Sequence, residues 1–242
     1  MTTTLKLTTL AALITLTASA GAAIVGEPVT VRVQSSLGQA SFTVLLPQGT
    51  YNPAAGTFSY SLPSSIDLID TSNGRTIAIL DGLTVGFQED GFGQIPRTAL
   101  GFALRAGNAN TSISIFSAHN TLSPLSRTAA GIASMTLTDL GGAPGASMVG
   151  NMMTEWWFEG RLGDLIFVGW DGQTAGPGLT SNQTITCPVV PPFGISELFS
   201  QYGFDLSAND SASGTSLLRA VPTPGAVSLL ALAGLATTRR RR

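Results

Sequence analysis

The residues most suited to chemistry form one short run, Glu155-Trp156-Trp157-Phe158-Glu159. Two carboxylates flanking three aromatic rings suit a sugar. Ring faces stack on pyranose rings, and a carboxyl pair about 5 to 10 Å apart hydrolyses glycosidic bonds. The competing reading is structural: three large rings bury much area and plug one end of a sheet sandwich, with the glutamates solvating either flank. Trp156 and Trp157 are therefore the candidate glycan contacts, and spacing alone assigns no catalytic role to Glu155 or Glu159.

Outside that run, chemistry-bearing residues are sparse. His119 is the only histidine, which excludes a multi-histidine zinc site and obliges any Ser-His-Asp triad to use it. No G-x-S-x-G elbow accompanies it, and Ser117-Ala118-His119-Asn120-Thr121 reads as an exposed loop after a strand. Cys187 is the only cysteine, so no intramolecular disulfide forms. Thr186 and Pro188 offer it no cation to lower its pKa, which makes a buried small apolar residue the expected role. Glu89-Asp90-Gly91 and Asp171-Gly172 could offer oxygen ligands to calcium, but neither alternates acids as an EF-hand loop does, and turn chemistry accounts for both. The sequence therefore assigns no catalytic residue, metal ligand or cofactor.

The elements that must position these residues are short strands. Val29 to Val33 alternates with period two, as do Ser41 to Leu45, Thr57 to Leu62, Thr111 to Phe116 and Ser134 to Leu140. Arg75 to Leu80, Leu83 to Gln88, Thr98 to Leu104 and Leu165 to Trp170 add four more. Turns are expected at Ser72-Asn73-Gly74 and Asp90-Gly91, and a two-residue hairpin at Asp81-Gly82. Ser147 to Phe158 is the expected helix, with a short turn of helix over Ser196 to Tyr202. Many short strands without a βαβ rhythm predict an all-β fold, a single antiparallel β-sandwich with a jelly-roll-like arrangement as competitor.

The expected organisation is a signal peptide over 1–23, a β-sandwich ectodomain over 24–206, a flexible linker over 207–220 and a tail over 221–242. Between residues 24 and 218 six arginines face all 14 acidic residues of the chain and no lysine, a formal net charge of −8. No basic patch exists to neutralise phosphates, which argues against nucleic acid as a partner.

Both ends read as addresses. Met1 to Lys6 is weakly positive, Leu7 to Thr17 mostly apolar, and Ala18-Ser19-Ala20 an A-x-A cleavage site, the pattern of a secretory signal peptide. At the other end Val221-Pro222-Thr223-Pro224 precedes an apolar run and the cluster Arg239, Arg240, Arg241 and Arg242. The prolines confine a helix to about fifteen residues, roughly 22 Å against about 30 Å of hydrocarbon, so the tail suits a transient stop better than a permanent anchor. In order and spacing this tail resembles the PEP-CTERM sorting tails of bacterial exosortase substrates: a Pro-Glu-Pro-like motif, an apolar transmembrane helix and a terminal basic cluster. The departure is Thr223 in place of glutamate, a Pro-Thr-Pro variant. The resemblance is limited to 221–242. It implies membrane contact through the tail, recognition by an exosortase-like enzyme, cleavage near the proline motif and delivery to the outer envelope or extracellular matrix, while the signal peptide implies export by the Sec machinery.

Two functions are expected from this reading. One is a non-catalytic structural or adhesive component of the cell surface or matrix, with exopolysaccharide among its partners. The alternative is a surface protein that binds or cleaves carbohydrate through Trp156, Trp157 and the neighbouring acids.

Overall fold

A computed structural model describes residues 24–91, 94–122, 126–142, 144–152, 156–162, 165–169 and 172–222. The signal-peptide segment, Glu155, Asp171, Thr223, Pro224, the apolar run and Arg239 to Arg242 lie outside the described residues. Among the described residues no helix is long and apolar enough to cross a membrane.

Strand follows strand along the chain. β1 (Ile24–Ser35) and β2 (Gly38–Val44) precede a single 3-10 turn at Leu46–Gln48. Then come β3 (Thr50–Asn52), β4 (Thr57–Ser61), β5 (Ile66–Ile69), β6 (Thr76–Gln88), β7 (Arg97–Ala106), β8 (Thr111–Thr121) and β9 (Ser126–Thr138). The remainder are β10 (Ala146–Gly150), β11 (Phe158–Leu162), β12 (Leu165–Gly169), β13 (Gln173–Ala175), β14 (Thr180–Gly194), β15 (Glu197–Leu206) and β16 (Ser211–Pro222).

These make two antiparallel sheets. The first runs β12-β11-β15-β8-β1-β2, with β10 beside β15 and β13 beside β10. The second runs β14-β9-β16-β7-β6-β4-β3, with β5 beside β6. The expected all-β, two-sheet sandwich is what the chain forms, and its cause is the period-two pattern. On β1, Val29, Val31 and Val33 are buried while Arg32 and Gln34 are exposed. On β8, Ile113 and Ile115 are buried and Ser112 exposed. Most inward side chains of both sheets form one main core.

At its centre Tyr202 packs against Phe102 (centroids 4.9 Å), Phe158 (4.9 Å) and Trp157 (6.0 Å). Burial raises the Tyr202 phenol far above its ordinary pKa.

Four sequence expectations are corrected here. Residues 207–220 are not a linker, since 211–222 form β16, hydrogen-bonded to β7 on one side and β9 on the other. Its small residues signal packing: a Cβ at Gly214 would stand 2.6 Å from the Phe102 ring. Leu218 and Ala220 join a second apolar cluster with Leu122, Ala129, Leu162, Ile195 and Leu198. The strand takes in Val221 and Pro222, which pair with Thr128 and Arg127.

The helix expected from Ser147 to Phe158 does not begin, because residues 147–150 belong to β10, where Met148 points into the core and Val149 out. Nor is Ser196 to Tyr202 helical: Leu198, Ser200 and Tyr202 of β15 face inward, and alternation outweighs the N-cap signal of Ser196. Asp81-Gly82 makes no hairpin. β6 continues through a bulge between Leu80 and Gly82, which keeps Leu80 and Leu83 both buried, and Asp81 pairs across the sheet with Arg105 (2.7 Å).

Candidate functional site

The structure separates the two tryptophans. Trp157 is 0% exposed and lies between the sheets, so it is a core residue and not a glycan contact. Trp156 is half-buried, its backbone bridged to Met152. Glu159 is 6% exposed and paired with Arg161 Nε at 2.5 Å, which removes it as an available acid. The run with the most chemical promise is thus mainly structural. Cys187 is half-buried on β14, and burial raises its thiol pKa. Glu89 is buried and accepts a hydrogen bond from the Tyr51 hydroxyl (3.1 Å). Among the described residues no group of three acidic, cysteine or histidine side chains gathers as a metal site would require.

His119 is not in a loop. It belongs to β8, where its ring stacks on Phe199 (4.4 Å, 16°) and Nδ1 lies 2.9 Å from Glu197 Oε2. Arg161 lies over the same ring, 5.9 Å from the Phe199 centroid. No nucleophile is hydrogen-bonded to His119, so it forms no triad among the described residues.

What the sequence did not single out is the outer face of the first sheet around β1. Antiparallel partners share a face, so the register places Asp205, Ser112, Gln34 and Gln39 in one row and Gly203, Ser114, Arg32 and Ser41 in the next. A third row holds Gln201, Phe116, Thr30 and Thr43. Arg32 lies over the Phe116 ring, 5.1 Å from its centroid, joining the second row to the third. Alternation in Thr30-Val31-Arg32-Val33-Gln34 carried this signal: with Val31 and Val33 inward, the three polar residues between and beside them must face outward.

The β5–β6 turn forms a wall beside these rows. Asp70 is 7% exposed and its carboxylate accepts from Gln39 N (2.9 Å), Ser72 N (2.7 Å) and Ser72 Oγ. These hydrogen bonds hold its pKa below the usual carboxylate range, with Ser72 the main cause. Asp70 thereby ties β2 of the first sheet to a turn of the second. Gly38 makes room for it: at φ 135° it sits where a Cβ would fall 1.9 Å from Asp70 Oδ2. Floor and wall together enclose a groove of about 750 Å³, lined by Arg32, Gln34, Gln39, Ser41, Asp70 and Ser114 among others. Within the described residues the side chains of Gln34, Gln39, Ser41 and Ser114 make no hydrogen bond to the protein, leaving amide and hydroxyl groups open to a ligand.

No family model matches the sequence, and no curated protein matches it. Among solved structures, a TmCBM61 module in complex with β-1,4-galactotriose is 9% identical over 72% of this chain and 93% of its own, with a TM-score of 0.29. A family 16 carbohydrate-binding module is 10% identical over 50% and 83%, with a TM-score of 0.25. A structure of infectious bursal disease virus, Gx strain, is 11% identical over 81% and 56%, with a TM-score of 0.30. Likeness this slight carries no argument about ligands, and the functional reading rests on the groove alone.

Proposed function

We propose that this chain is a non-catalytic carbohydrate-binding β-sandwich whose ligand lies in the groove on the outer face of the first sheet. The observation that carries this reading is the lining: unengaged amides and hydroxyls of Gln34, Gln39, Ser41 and Ser114 beside a guanidinium on an aromatic ring. Amides offer donor and acceptor side by side, which matches the paired hydroxyls of a sugar ring, and an open groove suits a polymer better than a small enclosed metabolite. Affinity electrophoresis of the folded chain through neutral and acidic polysaccharides tests this. Ser41→Trp, which fills the groove, is expected to abolish retardation while circular dichroism and melting temperature stay unchanged. Retardation that survives in Ser41→Trp overturns the assignment to this groove.

The same proposal places the protein outside the inner membrane, exported through the Ala18-Ser19-Ala20 signal and sorted through Val221-Pro222-Thr223-Pro224 and Arg239 to Arg242 by an exosortase-like enzyme. A glycan-binding domain delivered to the cell surface or matrix would act there as an adhesive component. Intact mass of the protein recovered from its native host reads both ends. Chains beginning near Gly21 to Ile24 and ending near the Pro-Thr-Pro motif are expected, and chains retaining Arg242 in the inner membrane would overturn the sorting step.

A further inference from the structure

We infer that the sugar taken by the groove carries a carboxylate, and that Arg32 pairs with it. This rests on the glycan reading above and narrows its ligand class. Arg105 and Arg161 are each bonded to a carboxylate of the protein, Asp81 and Glu159. Arg32 carries no such partner among the described residues; its contact is the Phe116 ring.

Asp70 in the groove wall and Asp205 in the adjoining row are already engaged. Asp70 accepts three hydrogen bonds from Gln39 N, Ser72 N and Ser72 Oγ, and Asp205, beside Ser112 in the first row, accepts from Asn151 Nδ2 (3.0 Å). The groove thus presents one cation without an ion-pair partner, among amides and hydroxyls, while the one carboxylate in its lining, Asp70, has its oxygens taken up by hydrogen bonds within the wall. A guanidinium resting on a ring has its N–H donors in its own plane, a fork that matches the two oxygens of a carboxylate. Ser41 and Ser114, on either side of Arg32 in the same row, stand ready for the ring hydroxyls beside that carboxylate. Generic polyanion attraction to the domain does not supply this preference, because residues 24–222, with Arg219 on β16, carry seven arginines against 14 acidic residues, a formal net charge of −7 that repels acidic polymers at long range.

The test is affinity electrophoresis and titration calorimetry of the full chain against polygalacturonate, its fully methyl-esterified form and dextran sulfate. Polygalacturonate is expected to bind roughly tenfold or more tighter than the ester, as loss of a charge-assisted hydrogen bond predicts. Arg32→Gln is expected to erase that difference, and Arg32→Lys to restore only part of it, since lysine keeps the charge but not the fork. Equal affinity of the unaltered protein for acid and ester overturns the carboxylate while leaving a neutral-glycan reading. Dextran sulfate binding as tightly as polygalacturonate overturns it in favour of sulfate. No binding of any polysaccharide by folded protein overturns both this inference and the function it narrows.

Discussion

The two outer faces of the sandwich come from the same alternation yet offer different chemistry. Around the middle of the first sheet the outward residues include Arg32, Phe116, Gln34 and Gln39, with His119, Phe199 and Arg161 further along. On the second, the rows read Thr84, Gly101, Thr215, Ser134, Thr184 and Gly82, Ala103, Ser213, Thr136, Asn182. There the polar groups bond one another across strands: Ser134 to Thr215 (2.8 Å), Thr136 to Asn182 (2.7 Å) and Thr138 to Thr180 (3.2 Å). Cross-strand hydroxyl pairs steady a sheet, whereas a free guanidinium on a ring and unengaged amides are available to something else. An outward face is therefore judged by whether its polar groups are occupied, not by how polar it is.

The change with the largest expected effect removes what both faces share. Trp157→Ala, between the sheets, is expected to cost about 3 to 5 kcal/mol in chemical denaturation. Because Trp157 contacts the Tyr202 and Phe158 cluster from inside, any glycan affinity should fall only in step with folding. Binding lost from Trp157→Ala protein that remains fully folded would return the tryptophan to the site and weaken the case for the groove.

Next is Phe116→Ala, which leaves Arg32 without its platform. Polysaccharide affinity should fall roughly tenfold, the scale of a cation–π contact together with a lost stacking surface, with a small change in melting temperature since Phe116 is only half-buried. An unchanged affinity would make the ring a spacer.

Asp70 tests the wall. Its carboxyl pKa is depressed by the Ser72 and Gln39 hydrogen bonds, so the folded state favours the ionised form. The resulting stabilisation is fully present above the unfolded value, about 4, and is lost as pH falls through the lower folded value. The melting temperature of the unaltered protein should therefore exceed that of Asp70→Asn at pH 7 and converge on it in acid. Asp139, lowered chiefly by the Gly178 amide, adds a similar acid sensitivity to both proteins and cancels in the comparison. A gap between the two curves that persists unchanged to pH 2 would mean that the clamp does not depend on charge.

The sheets were legible in the sequence where side chains alternate strongly, as in Val29 to Val33. They were not where packing demands small residues: Gly214 looks like part of a linker until the Phe102 ring above it is known, as does Ala212 until its place in the core is. The groove was hidden for a related reason. Arg32 and Gln34 are ordinary solvent-facing residues along the chain, and only pairing with β2 and β8, plus the Asp70 turn arriving from the other sheet, makes a site of them. Trp157 misled in the opposite direction, since a ring suited to stacking on a sugar is equally suited to a core, and residue type does not choose between them.

The smallest expected effect lies on the second face. Thr215→Lys places a charge at the centre of the hydroxyl rows and removes the bond to Ser134. An exposed substitution of this kind changes stability by about 0.5 kcal/mol or less. Retardation by polysaccharide should not decrease; with an acidic polymer it should rise slightly, because the added cation lessens the long-range repulsion of a net-negative domain. A clear loss of binding would mean that the hydroxyl rows touch the ligand themselves. The contrast would then be between two binding faces, and the occupied hydrogen bonds of the second would have to open on contact.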